Sequence, residues 1–381
     1  MNTPTDTTTT TADKRVQRSN APFRADQVGS LLRPAPLQAA RTQHKAGRLD
    51  AEGLRAVEDR CIRDAVTKQQ AVGLQAVTDG EFRRDFWHLD FVRQLQGVSL
   101  QRAVGHSFAA EDVPPMATIT GKVDCHAPIM VDHFRYLQSV AQVTPKMCIP
   151  APATLHFRGG RNAISRKIYP ELEAFWRDTS AAYAKAIAYF YQAGCRYLQL
   201  DDVSFSYLCD ETVRQNFRNN GDDPATLHHT YAKAINDALA QRPSDMTITM
   251  HTCRGNFRST WFAGGGYTDE VIEAMFSVSV DGFFMEYDSE RAGGFEPLRL
   301  LPKGKKVVLG LVTSKSGTLE SKETLKRRIE EAARFVSLEQ LCLSPQCGFA
   351  STHHGNQLSE QEQWDKLARV VETAQEVWGS L

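Results

Sequence analysis

From Phe23 onward the chain repeats one pattern: a short apolar run, a polar loop, a longer stretch with apolar positions three or four apart, then the next run. The runs are ADQVGS (25–30), LQAVTDG (74–80), TITGKV (118–123), PKMCIPAP (145–152), RYLQLDD (196–202), MTITMHTC (246–253), DGFFMEYD (281–288), KKVVLGLV (305–312) and QLCLSPQCG (340–348). Strands apolar on both faces must be covered on both faces, and helices recurring between them supply that cover. The stretch from Asp50 to Gly73 has apolar positions at 54, 57, 61, 65 and 72 and ends at a glycine; the stretch 171–194 ends in Ala-Gly; SKETLKRRIEEAARFV reads as a helix with a charged outer face. Eight such units in about 350 residues predict an α/β fold, a (β/α)8 TIM-type barrel. TITGKV is the surplus run and is assigned to a hairpin excursion within the irregular region 96–145. A doubly wound open sheet is the competing fold, but no run leads into the G-x-G-x-x-G turn that would hold a dinucleotide.

The predicted organisation is a polar, Thr-rich tail over residues 1–22, too poor in apolar side chains to order itself, followed by a single barrel over 23–381. Lys plus Arg and Asp plus Glu number 45 each, so no net field argues for nucleic acid or an anionic membrane. No run approaches a membrane span, and the opening residues lack the apolar core of a secretory signal. Eight scattered cysteines suit a reducing compartment. The expectation is a cytoplasmic protein acting on small molecules, with a homo-oligomer left open.

In a barrel, chemistry collects at the carboxyl ends of the strands. Those ends read Gly29-Ser30, Asp79-Gly80-Glu81, Asp201-Asp202, His251 with Cys253, Glu286 with Asp288, and Cys347. Residues i and i+2 of a strand share a face, so His251 and Cys253 project side by side. Joined by Glu286 and Cys347 from later strand ends, they offer the two sulfurs, one nitrogen and one oxygen of a Zn2+ site. Cys342 is the rival to Cys347, but alternation turns it toward a neighbouring layer. Cys61, Cys125, Cys148, Cys195 and Cys209 read as inert core or surface residues.

The ordered stretches QVGSLLRP, VTDGEFRRD, LQLDD, MHTCRGNF, MEYD and SPQCGF resemble the catalytic barrel of cobalamin-independent methionine synthase, across residues 23 to 378 and closest to its short single-barrel relatives. The resemblance implies a zinc-thiolate methyltransferase with His251, Cys253, Glu286 and Cys347 as ligands. It also implies that Gly29 and Ser30 meet the carboxylate of homocysteine, and that Glu81 and Asp201 meet its ammonium. These roles are chemically apt, since an ammonium wants carboxylate acceptors and a carboxylate wants N–H and hydroxyl donors. Asp79, Glu81 and Asp202 could equally serve as caps and salt bridges at the rim, with Arg83 and Arg84 nearby.

Two departures fall on the methyl-donor side. Where the long synthase carries a histidine tied to proton delivery, GLVTSKSG puts Lys315. Where a tryptophan platform for the pterin is expected, IPAPATLHFRGG offers His156, Phe157 and Arg158. The leading expectation is methyl transfer from a 5-methyltetrahydrofolate-type donor to a thiol, with Zn2+ as cofactor. The alternatives are a zinc-thiolate alkyltransferase of the epoxyalkane:coenzyme M type, a thiol methyltransferase with a non-folate donor, and a non-catalytic thiol- or zinc-binding protein. Three further features read plainly: His353-His354 as part of a loop leading into a helix, His228-His229 as a solvated pair on a charged helix, and AGGGY (263–267) as a lid or helix entry.

Overall fold

The computed structural model describes residues 20–101, 115–257 and 260–381; the expected tail falls chiefly on residues 1–19, outside the described residues. The strands are β1 (Ala76–Val77), β2 (Gln96–Gln101), β3 (Met116–Asp124), β4 (Thr144–Pro145), β5 (Met147–Pro150), β6 (Tyr197–Asp202), β7 (Thr247–Thr252), β8 (Asn256–Phe257), β9 (Thr260–Trp261), β10 (Gly282–Glu286), β11 (Lys306–Val312) and β12 (Leu341–Pro345). Six form one parallel sheet in the order β12-β11-β10-β7-β6-β5. The ring continues from β4, which leads directly into β5, to its parallel partner β1. At the other edge, residues 24–26 lie along β12: Asp26 N–H donates to Leu343 O at 3.0 Å and Leu343 N–H to Arg24 O at 2.8 Å. The gap between that first segment and β1 is spanned by Thr78 Oγ1 donating to Gly29 O at 2.6 Å and Leu31 N–H to Gly80 O at 3.0 Å. The architecture is the expected (β/α)8 barrel, its seam made of side-chain and loop contacts in place of a regular ladder.

The barrel strands are buried along their length, as β6 and β7 show at every position. Helices cover the outside. That spanning Ala51–Ala71 is started by the Asp50 side chain accepting from Gly53 N–H at 2.7 Å, and it buries Ile62, Ala65 and Val66 on its inner stripe. The helix Leu172–Gln192 buries Phe175, Tyr183 and Phe190. TITGKV lies on β3, which pairs antiparallel with β2 as the expected excursion hairpin. Its irregularity has a local cause: Gly97 sits at φ +78°, where a side chain would run into the Lys122 carbonyl. No helix among the described residues is long and apolar enough to cross a membrane.

Inside the barrel, away from the strand ends that hold the site, lies one buried ion pair. Lys146 Nζ sits 3.2 Å from Asp26 Oδ1 with both side chains fully shielded from solvent. The Tyr197 hydroxyl donates to the other Asp26 oxygen at 2.8 Å, and the ammonium rests 4.0 Å from the centre of the Phe284 ring. This network joins the first segment, the β4–β5 stretch, β6 and β10 across the interior. Removing one partner strands the other charge, so Lys146→Met is expected to cost about 3–5 kcal/mol in denaturant unfolding. Adding Asp26→Leu should restore most of that loss; a double variant as unstable as the single would show that the pair does not behave as an isolated unit.

Candidate active site

The mouth of the barrel is built from loops that start where the strands stop. His251 is the fifth residue of β7 and pairs in register with Asp201 on one side and Phe284 on the other. Cys253 follows one residue past the strand, with its N–H donating to Asp202 O at 2.7 Å. Glu286 ends β10, and Cys347 lies two residues beyond β12. One nitrogen, two sulfurs and one carboxylate oxygen of these four residues lie within 4.8 Å of one another. The sulfurs are 3.7 Å apart, and His251 Nε2 is 3.9 Å from Glu286 Oε1.

His251, Glu286 and Cys347 are buried and Cys253 partly so, and the group is under-satisfied. Glu286 is wholly inaccessible, and neither of its oxygens nor either nitrogen of His251 has a hydrogen-bond partner. Burial lifts the Glu286 carboxyl to about 7. Burial works against the His251 imidazolium, yet the neighbouring Cys347, Glu286 and Asp201 outweigh it and raise the ring to about 8. Cys253 pushes the Cys347 thiol well below its ordinary value, and its own thiol rises in return. Unpaired buried polar atoms are costly. Four converging at coordination distance fit a soft-to-borderline divalent cation of the zinc type, and Cys and His ligands favour it over an all-oxygen ion such as Mg2+.

A second polar group faces the same cleft. Ser30, Glu81, Asp201, His251, Cys253 and Cys347 all line it. Glu81 has φ +59° and follows Gly80 at +64°, two left-handed residues in succession. The turn is held by Asp79 Oδ1, which accepts from Glu81 N–H at 2.9 Å, and by Arg33, which donates to Glu81 O at 3.1 Å. A non-glycine residue in this region is strained, and the strain aims its carboxyl inward. Burial raises Glu81 to about 7 despite Arg84 at 3.4 Å, and raises Asp201 as well. Gln199 donates to Asp201 Oδ1 at 2.7 Å, while Glu81 Oε2 has no partner. Gly29 approaches Cys148 so closely that a Cβ there would lie 2.7 Å from its sulfur, and at φ +145° glycine is required.

Other expected residues sort cleanly. Asp79 and Asp202 act as caps, Asp202 accepting from Ser204 Oγ at 2.8 Å and from Phe205 N–H at 3.2 Å. Cys342 points into a small cluster with Val28, Phe284 and Val308, as strand alternation requires. Lys315 does not line the cleft; its ammonium donates to Asn256 Oδ1 and, at 3.0 Å, to Thr260 O of the β8–β9 hairpin. His156 is a buried core residue between Tyr231 and Asp222, whereas Phe157 and Arg158 do line the cleft. His353 and His354 lie in the loop before the helix Glu360–Trp378, and AGGGY precedes the helix Asp269–Phe276. The solvated reading of His228-His229 holds for His229 alone. His228 is wholly buried on the inner face of the helix Leu227–Leu239, 3.5 Å from Glu270, because the apolar stripe of that helix runs through its position.

Sequence reasoning missed three contributors, Cys148, Trp87 and His88. Cys148, read as inert, has its sulfur within 4.8 Å of ligand-type atoms of Glu81 and Asp201. Arg84, expected as a possible salt-bridge partner at the rim, is fully buried, pairs with Glu81 at 3.4 Å and donates to Cys148 O at 2.6 Å. Trp87 and His88 line the cleft, as does Phe86; their only signal was a run of three ring-bearing residues directly after the charged EFRRD stretch.

A model of the catalytic domain of cobalamin-independent synthase matches residues 23–376. The chain belongs to that family. This synthase-family barrel is 50% identical over 376 residues to the uncharacterised protein YxjH of Bacillus subtilis (strain 168), covering 97% of this chain and 99% of that one. It is 22% identical over 347 residues to a 5-methyltetrahydropteroyltriglutamate–homocysteine methyltransferase of Aliivibrio fischeri (strain MJ11), covering 90% of this chain but only 41% of that one. Among solved structures, a Listeria monocytogenes protein assigned as a vitamin-B12 independent methionine synthase superposes with a TM-score of 0.76 at 42% identity, covering 94% of this chain and 99% of that one. A B12-independent methionine synthase from Shewanella sp. W3-18-1, solved with selenomethionine, shares the fold at a TM-score of 0.70 and 19% identity, covering 93% and 97% of the two chains. The synthase-family barrel is thus a catalytic domain of the cobalamin-independent synthase type.

Proposed function

We propose that the chain is a zinc-dependent S-methyltransferase that converts homocysteine to methionine with a 5-methyltetrahydrofolate-type donor. The observation that carries this reading is the convergence of His251, Cys253, Glu286 and Cys347 with imidazole and carboxylate atoms that lack any other partner. The name of the Aliivibrio relative supports the thiol and the donor.

Bound by these four residues, Zn2+ would keep a substrate thiol deprotonated at neutral pH, and two protein thiolates with a carboxylate would leave that sulfur electron-rich. The remaining work falls to the chain. Glu81 and Asp201 receive the substrate ammonium, and the Gly29 backbone with the Ser30 hydroxyl receives its carboxylate, so the thiol is held by its far end. The S–C bond forms as the N–CH3 bond of the donor breaks, and the electron pair left on nitrogen takes up a proton. Lys315 is assigned as that acid. Its charge bears on Cys253, Cys347 and Glu286, and the β8–β9 hairpin that it holds must release it first.

Protein purified from cells should carry about one zinc per chain by elemental analysis, as a single four-ligand site requires. Cys253→Ser and Cys347→Ser should each lose it while Cys342→Ser keeps it; full zinc in both of the first two would remove the assignment.

Glu81 should make thiol binding depend on pH. Its carboxyl, raised to about 7 by burial, is protonated below that value and cannot then receive an ammonium, so homocysteine affinity should rise between pH 6 and 8. Glu81→Gln should flatten that dependence and weaken binding by about 1–3 kcal/mol, the range of a charged hydrogen bond, with zinc retained. Calorimetry across that pH range decides it, and an unchanged profile would return Glu81 to a structural role.

Lys315→Met should abolish turnover with methyltetrahydrofolate and spare transfer from a methylsulfonium donor, whose leaving group needs no proton. Equal loss with both donors in single-turnover assays would make Lys315 a support for the hairpin and remove it as the acid.

A further inference from the structure

The cleft has a corner that neither the metal ligands nor the ammonium clamp uses. His88 is 2% exposed, lines the cleft, and has no hydrogen-bond partner at either ring nitrogen. Burial, reinforced by the positive charge of Arg158, holds its imidazole neutral, well below the ordinary value. Arg158 lines the same cleft, half-buried, with its Nε shielded from water and unpartnered. Its guanidinium makes no hydrogen bond or ion pair with any described residue; its one ring contact is with Phe157 next to it, at 5.5 Å. The cleft does hold carboxylates, but each has its own donor: Glu81 has Arg84, Asp201 has Gln199, and Asp202 has Ser204. Among the described residues, the group that bears favourably on Arg158 is the Tyr207 hydroxyl, also on the cleft wall and kept un-ionised by its burial.

The three side chains come from successive loops after β1, β5 and β6, whereas the metal-type ligands come from β7, β10 and β12. A cation lacking a counter-ion, beside a neutral imidazole free to donate from one nitrogen, is a receptor awaiting an oxyanion. Trp87 and Phe157 flank it with flat apolar surface suited to a planar ligand. We propose that Arg158 and His88 form a subsite for an anionic oxygen group carried by the methyl donor, a carboxylate or its equivalent on a planar molecule. This rests on the methyltransferase reading above, and it disfavours cationic donors such as sulfonium compounds as the physiological ones, since Arg158 would repel them.

The test uses zinc-loaded full-length protein saturated with homocysteine, with sodium sulfate as the probe oxyanion, titrated by calorimetry. Saturable binding is expected, weakened at least tenfold in Arg158→Leu and in His88→Phe and partly kept in Arg158→Lys. Zinc content and the proton release on adding homocysteine should not change in these variants, which shows that they are folded. 5-Methyltetrahydrofolate should displace the sulfate. Equal sulfate binding by wild type and Arg158→Leu overturns the subsite. Displacement of sulfate by further homocysteine overturns it too, because the anion would then occupy the thiol's own carboxylate position. Methyltetrahydrofolate binding that leaves sulfate in place overturns the donor assignment in favour of a free inorganic anion. Absence of zinc or of thiol-dependent proton release, with Arg158-dependent sulfate binding and its displacement intact, would instead sink the thiol-activation reading and leave the corner standing.

Discussion

Everything at the barrel mouth depends on the register of one parallel ladder. Asp201 lies opposite His251, His251 opposite Phe284, and Glu286 opposite Gly310. Side chains alternate with a period of two, so a slip of one residue between β7 and β10 would turn His251 or Glu286 out of the barrel and replace it with Met250 or Met285. Gly310 shows how tightly that register is specified. A Cβ there would come within 2.8 Å of the Gln346 backbone and 3.0 Å of Met285 O, so β11 contributes no side chain at this level and the chain carrying Cys347 passes across it. The missing side chain on one strand is what lets a ligand-type group from the next one arrive.

The electrostatics follow from that placement. The strands from β7 onward collect thiols and a carboxylate, while the earlier strands and the loops after them bring the carboxyls of Glu81 and Asp201 and an arginine, Arg158, that has no ion pair with any described residue. None of this favours the folded state by itself, because buried charges without partners raise its free energy. Carboxyl values near 7 at both Glu81 and Glu286 measure that tension. The relief must come from what binds, which makes the cleft selective by charge pattern as well as by shape.

Much of this was legible in the linear sequence because strands announce themselves by apolar runs and barrels put chemistry where those runs stop. The four ligand-type residues stand at such ends, and Cys342 could be set aside by parity alone. The same rule overextended some runs. ADQVGS makes only a single bridge, at Ala25, and the strand within QLCLSPQCG ends at Pro345, after one more backbone bond from Gln346 N–H to Val312 O at 2.7 Å. What could not be read were contacts between loops distant in sequence. Cys148 beneath Gly29 and His88 near Arg158 have no local pattern, and His228 was misjudged because helix polarity averages over faces that tertiary packing separates.

The seam between the first segment and the last strand has a consequence for how the site comes into being. Arg33 donates to Ala350 O across 317 residues, and Phe349 N–H donates to Ser30 O at 2.9 Å. Contacts of such long range carry a large loop-closure cost, which the rest of the barrel offsets by bringing the chain ends together. Ser30 and Cys347 therefore share the cleft only where the first segment and the last strand meet, so a chain short of its last strand lacks both the seam and one of the four ligand-type side chains. Closing the circle and bringing Cys347 beside Cys253 are one event, so the four-residue group exists only in the closed barrel.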